Sequence, residues 1–251
     1  MLLYEDIPYI PKEERRVVML QSGGLESCYV ACLLAHYGFE IHHVFIDYGQ
    51  NAVEQERRSV NNIVNKYGGK LHEVSISLPW LKESTILNSG EEVKAYEVSE
   101  SLGAIDSKVY VPMRNTIFIT IASSLADSLK IPFIACGLDG YQDDACRPLS
   151  GAPDKHPYYV VELERAISEG SSLKHKEGYL FDIIAPTMNQ TKAGTILRGQ
   201  EINCDFSLSW TCYNSDDKPC GTCCACLDRL YNFEKVGIKD PLEYKNRKNI
   251  L

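Results

Sequence analysis

Six consecutive residues near the amino end have the side chains and the backbone freedom that bind phosphate. They are Ser22-Gly23-Gly24-Leu25-Glu26-Ser27, between an apolar run at 17–20 and a helix-compatible stretch. Two adjacent glycines let amide N–H groups approach an anion, and the following helix directs its positive end to the same place. Ser22 and Ser27 add hydroxyl donors, and Glu26 can sit beside a Mg²⁺ that bridges the phosphates. The pattern favours nucleotide binding over a plain Gly-Gly turn, and it is not a Walker A loop.

Four cysteines near the carboxyl end have the spacing of a metal site. In Cys212-x7-Cys220-x2-Cys223-x2-Cys226 the thiols fall within fifteen residues. Zn²⁺ takes four tetrahedral donors with sulfurs at about 2.3 Å, and two-residue spacers bring sulfurs that close. A closed set of four cysteines predicts a structural zinc site, with an iron–sulfur cluster or redox thiols as the alternatives. Cys224 breaks the two-residue spacing.

The overall composition limits the location and the partners. The chain has a formal charge of −8, a pI near 5.3 and ten cysteines. Nucleic-acid binding needs clustered Lys and Arg, and the densest basic run is only 245–248. No apolar stretch approaches the roughly 20 residues that span a bilayer, and the first sixteen residues are neither a signal nor a transit peptide. We therefore expect a cytoplasmic enzyme with a small-molecule substrate, no nucleic-acid or membrane partner, and no structural disulfides.

Strand-like and helix-like segments alternate along most of the chain. This alternation predicts a Rossmann-like α/β fold, with a parallel sheet and helices on both faces. Strands are predicted at 17–20, 43–47, 71–76, 132–136 and 179–185, and helices up to about 36, at 52–67 and at 115–129. Residues 79–110 predict a loop or flap. From 204 onward the composition shifts towards Cys, Asp and Gly. We predict an amino-terminal extension at 1–16, a nucleotide-binding α/β domain at 17–203 and a metal-binding region at 204–251.

The two motifs, in this order, resemble those of the 7-cyano-7-deazaguanine synthases (QueC), a family of PP-loop ATP pyrophosphatases. The similarity runs from about residue 16 to 235. Further matches are Phe45-Ile46-Asp47-Tyr48-Gly49-Gln50, Val111-Pro112-Met113-Arg114-Asn115, Pro186 with Lys192, and Trp210-Thr211-Cys212-Tyr213-Asn214. The resemblance implies an adenine nucleotide alpha hydrolase-like fold, ATP as co-substrate with Mg²⁺, a structural Zn²⁺, and a homodimer.

The family's reaction suggests roles for particular residues. The family activates 7-carboxy-7-deazaguanine as an acyl-adenylate, adds ammonia to give an amide, and then activates and dehydrates the amide to a nitrile. Arg114 and Lys192 can offset the charge that develops on the α-phosphate. The resemblance implies catalysis by Glu26, Arg114 and Lys192; ATP binding by Gln21, Ser22, Gly23, Gly24, Leu25, Glu26, Ser27, Asp47, Gln50 and Gly137; and substrate binding by Tyr48, Arg114, Asn115, Asp144, Cys146 and Arg147. The plainer alternatives are a solvated arginine, a surface lysine, an N-cap at Asn115 and a solvent-facing turn at 47–50.

The chain departs from the family pattern at three places. Glu26 stands where the family loop has Asp. Ala52 and Gln55 stand where the family usually has His and then Glu. The family's Tyr-Pro-Asp-Cys-Arg stretch matches 141–148 only with altered spacing. We expect nucleotide activation to be retained, whereas these departures leave open whether the acceptor and the second step are those of the family.

Four functions follow as alternatives. Nitrile synthesis is the first expectation. The second is a QueC-like ligase of an antiphage-defence operon, which joins the activated deazaguanine to an amine of a protein partner and stops at the amide. A tRNA-modifying PP-loop enzyme predicts a basic surface, which the acidic composition opposes. A non-catalytic nucleotide-binding module predicts that Glu26 disables the loop.

Overall fold

The computed structural model describes residues 7, 10–80, 84, 86–87, 93–95, 109–139 and 152–247. Three of the predicted substrate-binding residues, Asp144, Cys146 and Arg147, lie outside the described residues. The altered match to the family's Tyr-Pro-Asp-Cys-Arg stretch at 141–148 and most of the predicted loop at 79–110 lie outside them as well.

Five parallel strands form the sheet. In chain order they are β1 (Arg16–Leu20), β2 (Glu40–Asp47), β3 (Lys70–Ser75), β4 (Phe133–Ala135) and β5 (Asp182–Ile184). Their order in space is β3-β2-β1-β4-β5, and each neighbouring pair is parallel. β1 is a continuous apolar run because a central parallel strand is buried on both faces. The predicted α/β fold class is confirmed, and β4 and β5 are shorter than predicted.

Seven α-helices accompany the sheet in the described part of the chain. They are α1 (Leu25–His36), α2 (Val53–Tyr67), α3 (Arg114–Leu129), α4 (Pro157–Gly170), α5 (Ser172–Glu177), α6 (Lys192–Glu201) and α7 (Cys224–Lys235). The three predicted helices are confirmed as α1 to α3. The other four were not predicted; in α6, two internal glycines weaken the helical signal. None of the described helices is long and apolar enough to cross a membrane.

Alternate residues of β1 point to opposite faces of the sheet, so this strand joins two cores. Val17 packs in one core with Tyr29 of α1 and Phe233 of α7. Val18 packs in the other core with Ala122 of α3. Helices therefore cover both faces of the sheet, as predicted.

The cysteine-rich region packs directly on the α/β domain. Phe206 lies in the same core cluster as Tyr29 of α1. The backbone N–H of Trp210 donates to the carbonyl oxygen of Gly23 at 2.8 Å, and Ser59 Oγ donates to the same oxygen at 2.7 Å. The region after 203 thus shares a core with the glycine loop, and the division at 203/204 stays a prediction.

The strand order changes direction beside β1. The chain runs from β1 through α1 to β2 on one side, whereas β4 pairs with β1 on the other side. Parallel α/β sheets bind ligands in the crevice at the carboxyl ends of strands at such a point. Residues 21–27 follow β1 directly, so the fold brings the predicted phosphate loop to this crevice.

Candidate active site and metal centre

The glycine loop begins at the carboxyl end of β1. Gly23 has a positive φ of 76°, and a Cβ there would lie 2.9 Å from the carbonyl oxygen of Glu56. Both the conformation and the space therefore require glycine. α1 begins at Leu25 after Gly24, and no described side chain caps it. The N–H groups of its first turn are therefore available to an anion.

A second glycine lets β4 approach the same loop. A Cβ on Gly137 would lie 2.9 Å from the backbone nitrogen of Ser27 and 3.0 Å from the Cβ of Glu26. Gly137 is required here for space. The contact joins the carboxyl ends of β1 and β4 into one surface.

A cavity of about 390 Å³ opens at this edge of the sheet. A volume in this range suits a small-molecule ligand. It is lined by most of the predicted site residues: Gln21, Ser22, Gly24, Leu25, Glu26, Ser27, Tyr48, Arg114, Asn115, Gly137 and Lys192. The structure thus brings together residues that are up to 171 positions apart in the sequence.

Asp47 and Gln50 do not line this cavity. The carboxylate of Asp47 pairs with Arg57 at 3.1 Å. The side-chain oxygen of Gln50 accepts from the backbone N–H of Tyr48 at 2.9 Å, and its amide nitrogen donates to Glu56 at 2.8 Å. Both side chains organise the turn after β2, and their contact with ATP stays a prediction.

Lys192 begins α6 and lies between two carboxylates of the cavity. Its Nζ is 3.2 Å from Glu26 Oε1 and also contacts Asp228 Oδ2. Burial lowers the pKa of the ammonium, but Asp228, Glu26 and Asp139 together raise it well above its usual value. Lys192 is therefore charged at neutral pH. Its side chain is only 19% exposed, so the surface-lysine alternative is wrong. Asp228 was missed because nothing in its spacing marks it.

An aromatic cluster, made of Tyr48, Phe118 and Tyr213 with Arg114, lines another part of the cavity. Arg114 Nη1 donates to Tyr48 Oη at 3.2 Å, and the guanidinium carbon lies 5.9 Å from the Tyr48 ring centroid. The rings of Tyr48 and Phe118 are 5.1 Å apart. Burial raises the pKa of Tyr48, so its hydroxyl stays protonated. Arg114 is held by the cavity wall, so the solvated-arginine alternative is wrong.

Asp154 holds the amino end of α3. Its carboxylate accepts from the backbone N–H of Asn115 at 2.8 Å and from Asn115 Nδ2 at 3.0 Å. The helix begins at Arg114, after Met113 in a left-handed conformation with φ 55°. The alternative that Asn115 is the N-cap is wrong, because Asn115 lies in the first turn and Asp154 supplies the cap from a distant segment.

We expect Asp154→Ala to lower the free energy of unfolding by about 1–2 kcal/mol, the usual effect of losing a helix cap. It should also slow any reaction that depends on Arg114, because the arginine starts the uncapped helix. Urea unfolding and steady-state assays measure the two effects. Asp217→Ala, at an exposed position, is the matched control. Equal stability of the two variants would contradict the capping role.

The turn at Pro153–Lys155 supplies a second lysine to the cavity. Lys155 lines it and lies with its Nζ 2.5 Å from Asp139 Oδ1. Lys155 was not predicted, because its contact with Asp139 spans 16 residues and no local pattern marks it. The match of 141–148 to the family's Tyr-Pro-Asp-Cys-Arg stretch stays a prediction.

The two departures near the start of α2 do not reach the cavity. Ala52 is buried at the position before the helix. Gln55 Nε2 donates to the carbonyl oxygens of Ser215 at 2.7 Å and Asp216 at 3.2 Å. Gln55 therefore ties α2 to the cysteine-rich region, and neither position contributes a side chain to the cavity.

The four cysteines of the predicted metal site meet at one point. The Sγ atoms of Cys212, Cys220, Cys223 and Cys226 lie within 4.8 Å of one another, and all four residues are buried. The Sγ atoms of Cys220 and Cys226 are 3.9 Å apart. A tetrahedron with metal–sulfur bonds of about 2.3 Å has edges of about 3.8 Å. The four thiols thus fit one tetrahedral metal ion.

Backbone contacts hold the cysteine cluster in this shape. The N–H of Cys220 points to Cys212 Sγ at 3.4 Å, and the N–H of Cys223 points to Cys220 Sγ at 3.3 Å. Gly221 has φ 78°, and a Cβ there would lie 1.9 Å from the carbonyl oxygen of Asn246. The carboxyl-terminal segment therefore packs directly on the turn between the cysteines.

The cysteine cluster and the cavity share one segment of chain. Trp210, Thr211 and Tyr213 line the cavity, and Cys212 between them belongs to the cluster. Trp210 Nε1 donates to the carbonyl oxygen of Cys212 at 2.8 Å. The conformation of the cysteine cluster therefore directly affects the position of this wall of the cavity.

Comparison with known proteins points to one family. The family model for the queuosine biosynthesis protein QueC matches residues 16–237. The 7-cyano-7-deazaguanine synthase of Thermoplasma acidophilum is 33% identical, over 93% of this chain and 93% of that protein. The 7-cyano-7-deazaguanine synthase of Methanobrevibacter smithii is 32% identical, over 92% and 98%. A 4-thiouridine synthetase–RNA complex with bound ATP has a TM-score of 0.46 and 12% identity, over 88% of this chain and 53% of that one.

Proposed function

Because this chain belongs to the QueC family, we propose that it is an ATP-dependent enzyme that makes 7-cyano-7-deazaguanine from 7-carboxy-7-deazaguanine and ammonia. Relatives that match it over nearly their whole length carry the name of that activity. The observation that carries the proposal is that the glycine loop, Lys192 and Arg114 line the same cavity. The cavity therefore combines an anion-binding loop with cations that offset negative charge.

In the proposed first step, a carboxylate oxygen of the substrate attacks the α-phosphorus of ATP. The bond to the bridging oxygen breaks, so pyrophosphate leaves and an acyl-adenylate forms. The N–H groups of the glycine loop, with Ser22 and Ser27, hold the phosphates, and Lys192 offsets the charge on the reacting group. A Mg²⁺ beside Glu26 would neutralise the charge of the phosphates. Positioning and charge stabilisation are thus the proposed contributions of these residues.

The amide and then the nitrile form in the same cavity, which binds a second ATP for the last step. Ammonia attacks the acyl carbon, AMP leaves, and the amide forms with loss of a proton. A second ATP then adenylates the amide oxygen with release of pyrophosphate. Loss of AMP and of the nitrogen-bound protons gives the nitrile. The conversion of one acid and one ammonia into one nitrile therefore consumes two ATP and releases two AMP and two pyrophosphates.

We propose that the metal in the cysteine cluster is Zn²⁺ with a structural role. Four thiolates leave no open position for a substrate, and this donor set is typical of structural zinc. Zinc bound there would fix the segment that carries Trp210 and Tyr213. It would thereby stabilise one wall of the cavity.

Elemental analysis should find one zinc per chain, and Cys223→Ser should lose it. The variant should also unfold at a lower temperature and turn over more slowly, because the cavity wall at 210–213 loses its support. Cys224→Ser, which changes the neighbouring residue outside the four-thiol group, should keep the zinc. Visible absorbance with stoichiometric iron would contradict the assignment and indicate an iron–sulfur cluster instead.

A second candidate is a QueC-like ligase that joins the activated acid to an amine of a protein partner and stops at the amide. It is suggested by the departures from the family pattern, of which Glu26 lines the cavity whereas Ala52 and Gln55 do not. A departure in the cavity itself is compatible with a reaction that differs from the family's after activation of the acid.

The proposal is tested by measuring AMP and pyrophosphate with the purified protein. With ATP, Mg²⁺ and 7-carboxy-7-deazaguanine, both should appear, and ammonium should increase their rate of formation. Omitting the deazaguanine acid is the control and should leave ATP intact. Absence of AMP in every mixture would contradict both candidates and indicate a binding module.

A further inference from the structure

One carboxylate in the cavity has no lysine partner in the described residues. Glu56 lines the cavity, as do Glu26, Asp139 and Asp228. The other three each have a carboxylate oxygen within 3.2 Å of a lysine Nζ. Within the described part of the chain, the Glu56 carboxylate accepts a hydrogen bond from Gln50 Nε2 at 2.8 Å. Glu56 therefore differs from the three acids whose negative charge is paired with a lysine.

Gln50 holds this carboxylate in a fixed position. The side chain of Gln50 is buried, and its oxygen accepts from Tyr48 N at 2.9 Å. Its Nε2 donates to the carbonyl oxygen of Ile46 at 3.2 Å as well as to Glu56 Oε2. A carboxylate has about four acceptor positions, and Gln50 fills one of them. Since hydrogen-bond donors from the described part of the chain fill only this position, the others can accept from N–H groups of a ligand.

The environment of Glu56 favours a ligand that donates hydrogen bonds. Burial raises the pKa of Glu56 to about 7, and Asp47 adds to this effect, while Gln50 and Arg114 lower it. The charge is thus poorly compensated in the free protein. A ligand that donates N–H groups to this carboxylate would stabilise it, and the stabilisation would contribute to binding.

The neighbouring side chains suit a flat ring. Tyr48, Phe118 and Tyr213 of the aromatic cluster line the same cavity, and the guanidinium of Arg114 lies over Tyr48. Aromatic and guanidinium planes stack on heterocycles. A ring held against this cluster would have its edge groups near polar side chains of the cavity wall.

We propose that Glu56 is a specificity residue that recognises a heterocycle with a lactam N–H next to an exocyclic amino group, as in a 7-deazaguanine. This inference rests on the proposed function, in which two heterocycles enter the site. The lactam-amino edge presents two adjacent donors, which match the two oxygens of a carboxylate. The adenine edge of ATP presents a donor beside an acceptor, and that acceptor would face a carboxylate unfavourably. Glu56 therefore selects the acid substrate over the nucleotide base.

The test compares two ligands and three proteins. Binding of 7-carboxy-7-deazaguanine and of its analogue without the 2-amino group is measured by calorimetry on wild type, Glu56→Gln and Glu54→Gln. Glu56→Gln keeps an oxygen that can accept from Gln50, so the local structure should survive. Glu54→Gln makes the same chemical change on an exposed position of α2. Pyrophosphate assays give the KM for ATP in parallel.

Wild type and Glu54→Gln should bind the amino compound at least about tenfold more tightly than the analogue, the effect of one charge-assisted hydrogen bond. In Glu56→Gln this ratio should fall below about threefold, with the KM for ATP unchanged. The ratio of the two affinities does not depend on the folded fraction of the variant, because unfolded protein reduces the binding of both ligands equally. An unchanged ratio in Glu56→Gln, or a raised KM for ATP alone, overturns the inference while the proposed function stands. Failure of wild type to bind or use the acid overturns both.

Discussion

Replacing Lys192 by alanine should lower the rate of acid-dependent pyrophosphate release by about a hundred- to a thousandfold. The ammonium lies between Glu26 and Asp228 and beside the glycine loop. Its removal leaves the carboxylates of Glu26 and Asp228 without their lysine counter-charge, so a phosphate would meet repulsion. The expected loss is mainly in kcat, because the charge to be offset grows as the α-phosphate reacts.

The control for this prediction is Lys218→Ala. Lys218 pairs with Glu243 on the surface and does not line the cavity. This variant should keep the wild-type rate to within about twofold, since exposed ion pairs contribute little. Melting temperatures of both variants show whether a loss of rate is a loss of fold. A Lys192→Ala protein that is folded and retains more than about a tenth of the wild-type rate would contradict the assigned role.

Replacing Arg229 by methionine should destabilise the protein by about 3–5 kcal/mol. Arg229 is fully buried, and it donates to both oxygens of Asp240 at 2.8 and 3.1 Å. It also donates to Ser209 Oγ at 2.7 Å and to the carbonyl oxygen of Phe206 at 3.0 Å. The arginine thus joins α7, the segment before the cysteine cluster and the carboxyl-terminal segment. Without it, the carboxylate of Asp240 is buried without its cation.

A double-mutant cycle separates this ion pair from general packing. Asp240→Asn removes the unpaired charge, so the double variant with Arg229→Met should lose less stability than the sum of the single variants. Arg165→Met, an exposed arginine paired with Glu162 on α4, should change stability by less than about 0.5 kcal/mol. Urea unfolding gives all these values. A loss below about 1 kcal/mol for Arg229→Met would contradict the proposed role of the pair.

The parts of the site that follow local rules could be predicted from the sequence. Gly23 marks the turn from β1 to α1, because only glycine adopts the conformation and leaves the space that the loop needs there. The cysteine cluster could be predicted because its spacing alone limits how far apart the sulfurs lie. The parallel sheet followed from the alternation of elements.

The parts that depend on long-range packing could not be predicted. Asp154 caps α3 from 39 residues away, and Asp228 meets Lys192 across 36 residues. No local pattern marks either contact. Gln50 was expected at the nucleotide, yet its amide is used to hold Glu56. The predicted homodimer and the cytoplasmic location stay predictions.

Mass spectrometry of the product tests the central claim most directly. The protein is incubated with ATP, Mg²⁺, 7-carboxy-7-deazaguanine and ¹⁵N-labelled ammonium, and the deazaguanine products are identified by mass. The account predicts 7-cyano-7-deazaguanine that carries one ¹⁵N and neither of the original carboxyl oxygens, with AMP and pyrophosphate in equal amounts. A labelled amide that accumulates without nitrile would contradict nitrile synthesis and support a ligase that stops at the amide. Unchanged acid and ATP would contradict the account as a whole.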